Sequence, residues 1–469
     1  MNDLNELNET NAPNPPQSFS DLGLHPAILQ AVAAQGYTTP TPIQQRAIPV
    51  VLSRRDVMAG AQTCTGKTAA FCLPILHLLA PLANRSVSPA MHPVRALILT
   101  PTRELAMQVE ENLRAYGANL QLRSAIIYGG VDMAPQTEAL RRGVEIVVAT
   151  PGRLLDHMQQ RSTSLGKVDF LVLDEADRML DMGFLPDIRR ILDTLPAQRQ
   201  NLLFSATFNT DIRKLAAQIM RSPVLVEVAP PNAVAERVQH LAYRCEDLHK
   251  RAVLVHLVES RQLTQVLVFV ATKRGAARLA RELQRDRVSA AAIHGDMSQP
   301  ERTKALDEFK SGAVRVLVAT DVAARGLDIE DLPHVVNYEL PYSAEDYIHR
   351  IGRTGRAGAS GEAISLVSKM QERHLRDIEK LIKAPLPLQA APIVESADSR
   401  YRERAPNRAA ERRLERRPSQ PEAAPPADGF DPNRPYLPDV SSTVAAPVKL
   451  PPPRRSRSAR AVLLTALKE

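Results

Sequence analysis

Short runs of apolar and β-branched residues alternate with helix-length segments along most of the chain, and this rhythm constrains the fold more than any other feature. In the first half the apolar runs cover residues 96–99, 125–128, 145–149, 170–173 and 202–204, and segments such as 103–116 lie between them. Such alternation is typical of βαβ units, in which helices cover both faces of a parallel sheet. The sequence therefore predicts an α/β fold.

A proline-containing break divides this pattern into two domains. After Ala229-Pro-Pro-Asn232 the rhythm restarts, with apolar runs at 266–270, 290–293, 314–319, 335–338 and 363–367. We predict a flexible lead at 1–18, a first domain at 19–228, a linker at 229–235 and a second domain at 236–383. Residues 384–469 hold 15 of the 37 prolines and few apolar clusters, which predicts a disordered basic tail.

The composition excludes several protein classes. Of the 469 residues 44% are hydrophobic, enough for packed cores, and no apolar run approaches the roughly 18 residues of a membrane-spanning helix. The polar, acidic N-terminus does not resemble a secretory signal, and Cys64, Cys72 and Cys245 form no metal-binding or disulfide pattern. We therefore expect a cytoplasmic protein without a membrane partner.

A candidate phosphate-binding loop lies between a short apolar run and a helix-length segment. Its nucleotide-binding residues would be Ala61, Gln62, Thr63, Cys64, Thr65, Gly66, Lys67 and Thr68. Backbone N–H groups at a helix start bind phosphate, Lys67 can reach the β- and γ-phosphates, and Thr68 can ligate Mg²⁺. A chance Gly-Lys-Thr is the simpler alternative, because Ala61 stands where the general pattern has glycine.

An acidic run, Asp174-Glu-Ala-Asp177, directly follows the apolar run 170–173. A carboxylate at the carboxyl end of a buried strand is the usual partner of a phosphate-binding loop. We predict that Asp174 holds Mg²⁺ and that Glu175 is the general base for the attacking water. Lys67, Asp174 and Glu175 are therefore candidate catalytic residues of a nucleotide hydrolase.

Together with about ten motifs in order, these residues give the chain a family resemblance. Over residues 19–382 it resembles DEAD-box ATP-dependent RNA helicases of superfamily 2, and its loops are similar to those of the bacterial RhlE-like subgroup. The resemblance implies two tandem RecA-like domains, ATP and Mg²⁺ as cofactors, and RNA bound without sequence preference. It implies an RNA-stimulated ATPase that locally unwinds short RNA duplexes or remodels ribonucleoproteins.

The resemblance also assigns roles in nucleotide binding. Gln44 would pair with adenine through its amide, and Tyr37 would stack on the base. Asp328 would contact the ribose, and Arg325 would help to hold the interdomain site closed. Two further residues, Arg353 and Arg356, would act as catalytic arginine fingers on the γ-phosphate.

Other motifs of the family imply an RNA path and a coupling element. The implied RNA-binding residues are Pro101, Thr102, Arg103, Gly129, Gly130, Thr150, Gly152, Arg153 and Thr320. Hydroxyls, backbone amides and arginines suit phosphates and 2′-hydroxyls, and such a set reads no base edge. Hydrolysis would be coupled to strand separation by Asp177, whose carboxylate would bond the Ser205 and Thr207 hydroxyls, and by His349, which would position the fingers.

The phosphate-binding loop departs from the family at Cys64, where a glycine is usual. Glycine gives backbone freedom and close approach to phosphate, whereas cysteine adds a Cβ and a thiol. Three interpretations stay open: a tolerated variant with altered nucleotide affinity, a weaker ATPase, or a redox-sensitive site.

Two other functions and the biological RNA also stay open. The chain could be an ATP-gated RNA clamp or assembly platform, although Glu175, Arg353 and Arg356 are all present, or it could be a DNA helicase. The RNA could be a ribosomal precursor, an mRNA or a substrate of the mRNA-decay machinery.

The basic surplus lies mainly in the predicted tail. The formal charge of the chain is +8, and residues 395–469 hold 15 Lys plus Arg against 10 Asp plus Glu, a balance of +5. We expect this segment to tether RNA without sequence preference and with strong salt dependence.

Overall fold

Two seven-stranded parallel sheets organise the part of the chain that the computed structural model describes, which is residues 16–60, 66–228, 238–324, 327, 329, 332–355 and 361–392. The strands of the first sheet are β1 (Val57–Gly60), β2 (Ala96–Leu99), β3 (Ser124–Ile127), β4 (Ile146–Ala149), β5 (Phe170–Leu173), β6 (Gln200–Ser205) and β7 (Val224–Glu227). Those of the second are β8 (Val238–Arg244), β9 (Val266–Val270), β10 (Ala290–Ile293), β11 (Val316–Thr320), β12 (His334–Asn337), β13 (Gly361–Val367) and β14 (Leu388–Ala390).

Helices connect the strands and cover both faces. The first domain contains α1 (Pro26–Ala34), α2 (Pro42–Leu52), α3 (Lys67–Leu79), α4 (Arg103–Tyr116), α5 (Ala134–Arg141), α6 (Pro151–Gln159), α7 (Ala176–Asp181), α8 (Leu185–Leu192) and α9 (Thr210–Ile219). The second contains α10 (Lys250–Ser260), α11 (Lys273–Arg285), α12 (Gln299–Lys310), α13 (Asp321–Ala324), α14 (Ala344–Ile351) and α15 (Glu372–Ile382).

The strand order explains why the apolar runs are continuous rather than alternating. The order is β3-β4-β2-β5-β6-β1-β7 in the first sheet and β10-β11-β9-β12-β13-β8-β14 in the second. Within β5, Phe170 and Val172 belong to the apolar cluster on one face, and Leu171 and Leu173 to that on the other. A strand buried on both faces needs apolar side chains at every position, which explains the continuous apolar runs.

The structure confirms the α/β prediction and refines its boundaries. Strands β2, β5, β9 and β10 and helix α4 have the predicted bounds, and the other predicted runs differ from the observed strands by one or two residues at an end. The edge strand β7 was not predicted, because only Val226 of its four residues is buried.

The second sheet extends past the predicted domain end at residue 383. Strand β14 pairs in parallel with β8, and Leu386 before it is buried in the apolar cluster that includes Ile378. Three residues flanked by Pro387 and Pro392 do not give a strand pattern, so this end of the domain was placed too early. The predicted lead up to residue 15, the linker and the tail from residue 393 lie outside the described residues.

Candidate active site

A cavity of about 510 Å³ opens at the carboxyl edge of the first sheet. Both domains contribute to its lining, which includes Phe19, Tyr37, Thr41, Gln44, Gly66, Lys67, Thr68, Glu111, Tyr116, Asp174, Glu175, Leu327 and Arg353. Parallel strands bring their carboxyl ends to one edge, so residues distant in sequence meet there. The structure thus assembles the described part of the predicted nucleotide set in one place.

Lys67 is the central cation of this cavity. It is the first residue of α3, is 6% exposed, and its Nζ atom has no hydrogen-bond partner among the described residues. A buried ammonium without a partner is costly, because it has lost its hydration shell. The site therefore favours an anionic ligand, and a phosphate at the start of α3 would satisfy both the ammonium and the helix N-terminus.

Asp174 and Glu175 face this cation from the end of β5. Oδ1 of Asp174 accepts a hydrogen bond from the Glu175 backbone N–H at 3.0 Å. Burial raises the pKa of Asp174 to about 7, although the Lys67 ammonium lowers it. Glu175 has φ of 51° in the left-handed region, which costs a non-glycine residue roughly 1–2 kcal/mol. The site thus holds a desolvated carboxyl group and a strained backbone next to each other.

The raised pKa of Asp174 predicts a pH-dependent stability cost in the protein without nucleotide. Between pH 4 and 7 the folded protein binds more protons than the unfolded chain, so this group lowers the unfolding free energy as pH rises. We expect Asp174→Asn to raise that free energy at pH 8 by about 1–4 kcal/mol relative to wild type, and less at pH 5.

Urea unfolding at pH 5, 6, 7 and 8, without nucleotide or divalent cation, measures this difference. Asp211→Asn is a matched control, because Asp211 is 68% exposed in its side chain. Parallel pH curves for wild type and Asp174→Asn would contradict the prediction.

Gln44 connects the part of the cavity that is predicted to bind adenine with the end of the phosphate loop. Its Oε1 accepts from the Thr41 backbone N–H at 2.9 Å, and its Nε2 donates to the Gly66 carbonyl at 3.1 Å. Gly66 has φ of 87°, and a Cβ there would overlap Nε2 of Gln44 and lie 2.7 Å from Oγ1 of Thr41. The predicted adenine-binding amide therefore also fixes the end of the phosphate loop.

We expect Gly66→Ala to weaken ATP binding at least tenfold and to lower the unfolding free energy by about 1–3 kcal/mol. The added methyl group strains a left-handed backbone and displaces Gln44. Nucleotide titration and thermal melting measure both effects. In Gly166→Ala the new Cβ would meet only Oγ of Ser164 at 3.8 Å, so this control should leave both quantities unchanged.

Tyr37 lies at the cavity wall with half of its surface exposed. Its ring centroid is 6.4 Å from that of the buried Tyr116, at an interplanar angle of 58°. An exposed aromatic face beside Gln44 is available for stacking on a planar ligand.

Asp177 connects the acidic run to the end of β6. Its Oδ2 accepts hydrogen bonds from the backbone N–H groups of Ala206 and Thr207 at 3.1 and 3.0 Å, and from the Thr207 hydroxyl at 3.1 Å. The Ser205 hydroxyl does not reach Asp177 but donates to the Thr207 carbonyl at 2.6 Å. Only one of the two predicted hydroxyl contacts is therefore present.

Arg353 is a residue of the second domain that lines the cavity. Its side chain is buried, and Nη1 donates to the Leu327 carbonyl at 2.9 Å. His349 lies on α14 with its Nδ1 3.8 Å from Oδ1 of Asp346, and burial lowers the pKa of His349.

Eight other predicted residues lie outside the described ones: Ala61, Gln62, Thr63, Cys64, Thr65, Arg325, Asp328 and Arg356.

The predicted RNA motifs of the first domain meet at the other end of the same sheet edge. A Cβ at Gly130, whose φ is 78°, would overlap the Arg103 guanidinium, so these two residues are packed against each other. Both terminal nitrogens of Arg153 donate to the Val131 carbonyl at 3.1 Å. The guanidinium groups of Arg103 and Arg153 therefore lie beside the backbone of residues 130 and 131.

The remaining members of that set lie at strand and helix ends. Thr102 caps α4, its Oγ1 accepting from the Leu105 N–H, and Thr150 precedes α6. A Cβ at Gly129 or Gly152 would meet nothing within 4 Å. Pro101 is buried, and Thr320 is the buried last residue of β11 in the second domain.

Among the described residues, contacts between the two domains at Glu104 and at Arg178 were not predicted. Glu104 accepts from Nε2 of Gln299 at 3.2 Å and from Nε of Arg302 at 2.8 Å, and Arg178 pairs with Asp346. Glu104 follows the predicted RNA-binding residue Arg103, and Arg178 follows the acidic run, but sequence spacing does not show which side chains face each other across a domain boundary.

The residues present fit a bound Mg²⁺. Thr68 and Asp174 line the same cavity, and within the described ranges no group of three or more His, Cys, Asp or Glu could hold a metal ion. Mg²⁺ commonly takes one or two protein ligands and completes its shell with water and substrate phosphates.

These features define a class: a P-loop ATPase whose active site is shared by two tandem RecA-like domains. Residues 41–215 match the family described as DEAD/DEAH box helicase, and residues 249–358 match the helicase conserved C-terminal domain. The chain belongs to the DEAD-box family of ATP-dependent RNA helicases.

Individual relatives agree with this assignment. The chain is 42% identical over 377 residues to the DEAD-box ATP-dependent RNA helicase RhpA of Helicobacter pylori, covering 80% of this chain and 75% of RhpA. It is 42% identical to the ATP-dependent RNA helicase RhlB of Xanthomonas axonopodis pv. citri over 79% of this chain and 66% of RhlB.

Solved structures show the same two-domain fold. Dbp5 of S. cerevisiae bound to RNA and ADP BeF3 superposes with a TM-score of 0.69 at 32% identity, covering 83% of this chain and 98% of Dbp5. Mss116p bound to ssRNA and AMP-PNP superposes with a TM-score of 0.73 at 28% identity, covering 82% of each chain. Among the described helices of this chain, none combines the length and apolar character needed to cross a bilayer.

Proposed function

We propose that the chain couples ATP binding and hydrolysis to local, sequence-independent unwinding of short RNA duplexes or remodelling of ribonucleoproteins. The observation that carries this proposal is the shared cavity, which is lined by Lys67, Asp174 and Glu175 of the first domain and by Arg353 of the second. In the part of the chain that the structure describes, Nζ of Lys67 has no hydrogen-bond partner. A site divided in this way is complete only when the domains are together, so ATP and RNA act as linked ligands.

The chain's own groups divide the chemistry of hydrolysis. Lys67 binds the β- and γ-phosphates, Glu175 takes a proton from the attacking water, and Arg353 stabilises charge that develops on the γ-phosphate. Thr68 and Asp174 would hold Mg²⁺, which neutralises phosphate charge when bound.

Arg103 and Arg153 of the first domain contact the sugar-phosphate backbone of the RNA, and Thr320 of the second domain contacts it as well. Asp177 and the Ser205–Thr207 segment pass the state of the nucleotide site to that surface.

ATP turnover with RNA, with DNA and without nucleic acid tests the function. We expect RNA to stimulate turnover at least tenfold more than DNA, and a labelled short RNA duplex to be separated only with ATP. Equal stimulation by DNA would contradict the RNA assignment. Turnover without strand separation would favour the clamp or assembly platform.

Finer assignments follow from the sequence pattern. We place the chain in the RhlE-like subgroup and in the cytoplasm, with a ribosomal precursor, an mRNA or a decay substrate as its RNA. Crosslinking followed by sequencing of the bound RNA distinguishes these substrates.

The segment after Pro392 tethers RNA through its basic surplus in this proposal. Removing residues 393–469 keeps β14 intact and is expected to weaken RNA binding at low salt and to reduce the salt slope. ATP turnover at saturating RNA should persist. Unchanged RNA affinity at low salt would contradict the tether.

A further inference from the structure

An ion pair joins the two domains at a point outside the nucleotide cavity. Arg178 follows the acidic run in the first turn of α7, and Asp346 lies in the first turn of α14. Nη1 of Arg178 donates to Oδ1 of Asp346 at 3.1 Å, and the two side chains are 7% and 25% exposed. Neither residue lines the nucleotide cavity.

The first-domain end of this pair touches the coupling element. The backbone N–H of Arg178 donates to Oδ1 of Asp177 at 3.0 Å, while Oδ2 of Asp177 holds the N–H groups of Ala206 and Thr207. A shift of α7 at Arg178 therefore moves the carboxylate that organises the end of β6.

The second-domain end is fixed to the helix that leads to Arg353. Oδ1 of Asp346 also lies 3.8 Å from Nδ1 of His349, one turn along α14. The next residue, Arg350, binds Asp321 through two hydrogen bonds of 2.6 and 2.7 Å. Because Asp321 directly follows β11, these hydrogen bonds connect α14, and with it Asp346, to the sheet of the second domain.

The pair has a different energy in separated and joined domains. When the domains are apart, water solvates each charge and neither needs the other. When they are joined, both side chains are largely desolvated, and removal of one leaves the other buried without its partner, which costs far more than an exposed pair contributes. Such an interaction stabilises one arrangement selectively, as a coupling element must.

We propose that Arg178 and Asp346 are positioning residues whose ion pair sets the strength of coupling between ATP and RNA binding without contact with either ligand. The inference rests on the proposed function, in which both ligands favour the joined domains. The cross-domain contact at Glu104 is less specific for this purpose because it adjoins Arg103 on the proposed RNA surface.

A charge-swap experiment tests the proposal. RNA affinity is measured by fluorescence anisotropy of a labelled single-stranded RNA, with and without a non-hydrolysable ATP analogue, for wild type, Arg178→Asp, Asp346→Arg and the double variant. We expect each single variant to reduce the nucleotide-dependent gain in RNA affinity at least tenfold and to change affinity without nucleotide less than threefold. The double variant should restore the gain to within threefold of wild type.

Steady-state ATP turnover provides a second measurement. The RNA concentration for half-maximal stimulation should rise at least tenfold in each single variant, while kcat at saturating RNA falls less than threefold. Asp346→Asn, which keeps the shape and an acceptor oxygen, should show an intermediate loss and is used if a reversed charge prevents folding, as judged by thermal melting.

A matched control exchanges the exposed pair Lys214 and Asp211, which are 3.2 Å apart with both side chains 68% exposed. This swap should alter nothing. Single variants with an unchanged gain, or a double variant no better than the singles, would overturn the inference. Wild-type protein without any nucleotide-dependent gain would instead overturn the proposed function.

Discussion

Replacement of Arg353 by alanine is expected to lower kcat for ATP hydrolysis by about 10³-fold or more, with RNA present at saturation. Arginine fingers contribute about 10³–10⁵ in rate in other nucleotide hydrolases, because a fixed guanidinium meets charge that develops only in the transition state. Arg353 is suited to this role, since its side chain is buried at the cavity wall and Nη1 is held by the Leu327 carbonyl. Single-turnover hydrolysis of labelled ATP measures the effect.

Two further variants show whether the positive charge of Arg353 is sufficient and whether loss of any arginine in this domain lowers the rate. Arg353→Lys keeps the charge but loses the planar fork, so we expect an intermediate rate. Arg281 on α11 also donates to a backbone carbonyl, that of Ala277 at 3.0 Å, but it is exposed on the surface of the same domain. Arg281→Ala should therefore leave the rate unchanged. A loss below tenfold in Arg353→Ala would refute the assignment of this residue as a finger.

Replacement of Glu175 by glutamine should lower kcat by about 10²–10⁴-fold and leave ATP and RNA binding intact. Proton transfer by a positioned base contributes this range, and glutamine keeps the side-chain size but accepts no proton. The left-handed backbone at Glu175 is retained, so the melting temperature should stay within a few degrees. The variant should hold RNA for longer in the presence of ATP, because the closed complex no longer hydrolyses its nucleotide.

Glu111 offers a control for this substitution, because it is an exposed carboxylate that lines the same cavity. If Glu111→Gln slowed hydrolysis as much as Glu175→Gln, the effect would be electrostatic and general, and Glu175 would not be the base. A loss of less than tenfold in Glu175→Gln would exclude it as well.

The comparison of sequence with structure shows which interactions can be predicted locally. The bounds of β2, β5 and α4 followed from short-range periodicity, since a strand buried on both faces and an amphipathic helix leave distinct patterns over four to fourteen residues. The edge strands β7 and β14 leave no such pattern, because few of their side chains are buried and their pairing partners lie elsewhere in the chain.

The same distinction holds within the active site. The phosphate loop and the acidic run were predicted from residue type and order, because helix N-termini and strand ends place such groups by local geometry. The link of Gln44 to the Gly66 carbonyl, the split between the Ser205 and Thr207 hydroxyls, and the contacts of Glu104 depend on how separate elements pack.

The sequence by itself determined the alternation of strands and helices, the order of the motifs and the chemical type of each predicted site residue. Tertiary structure alone decided which groups meet. Lys67 is buried and its Nζ has no hydrogen-bond partner within the described ranges, Asp174 has a raised pKa, Glu175 has a left-handed backbone, and Arg178 pairs with Asp346 across 168 residues of chain. The physical reason is that residue type and periodicity act over a few neighbours, whereas desolvation and ion pairing depend on surfaces that packing brings together.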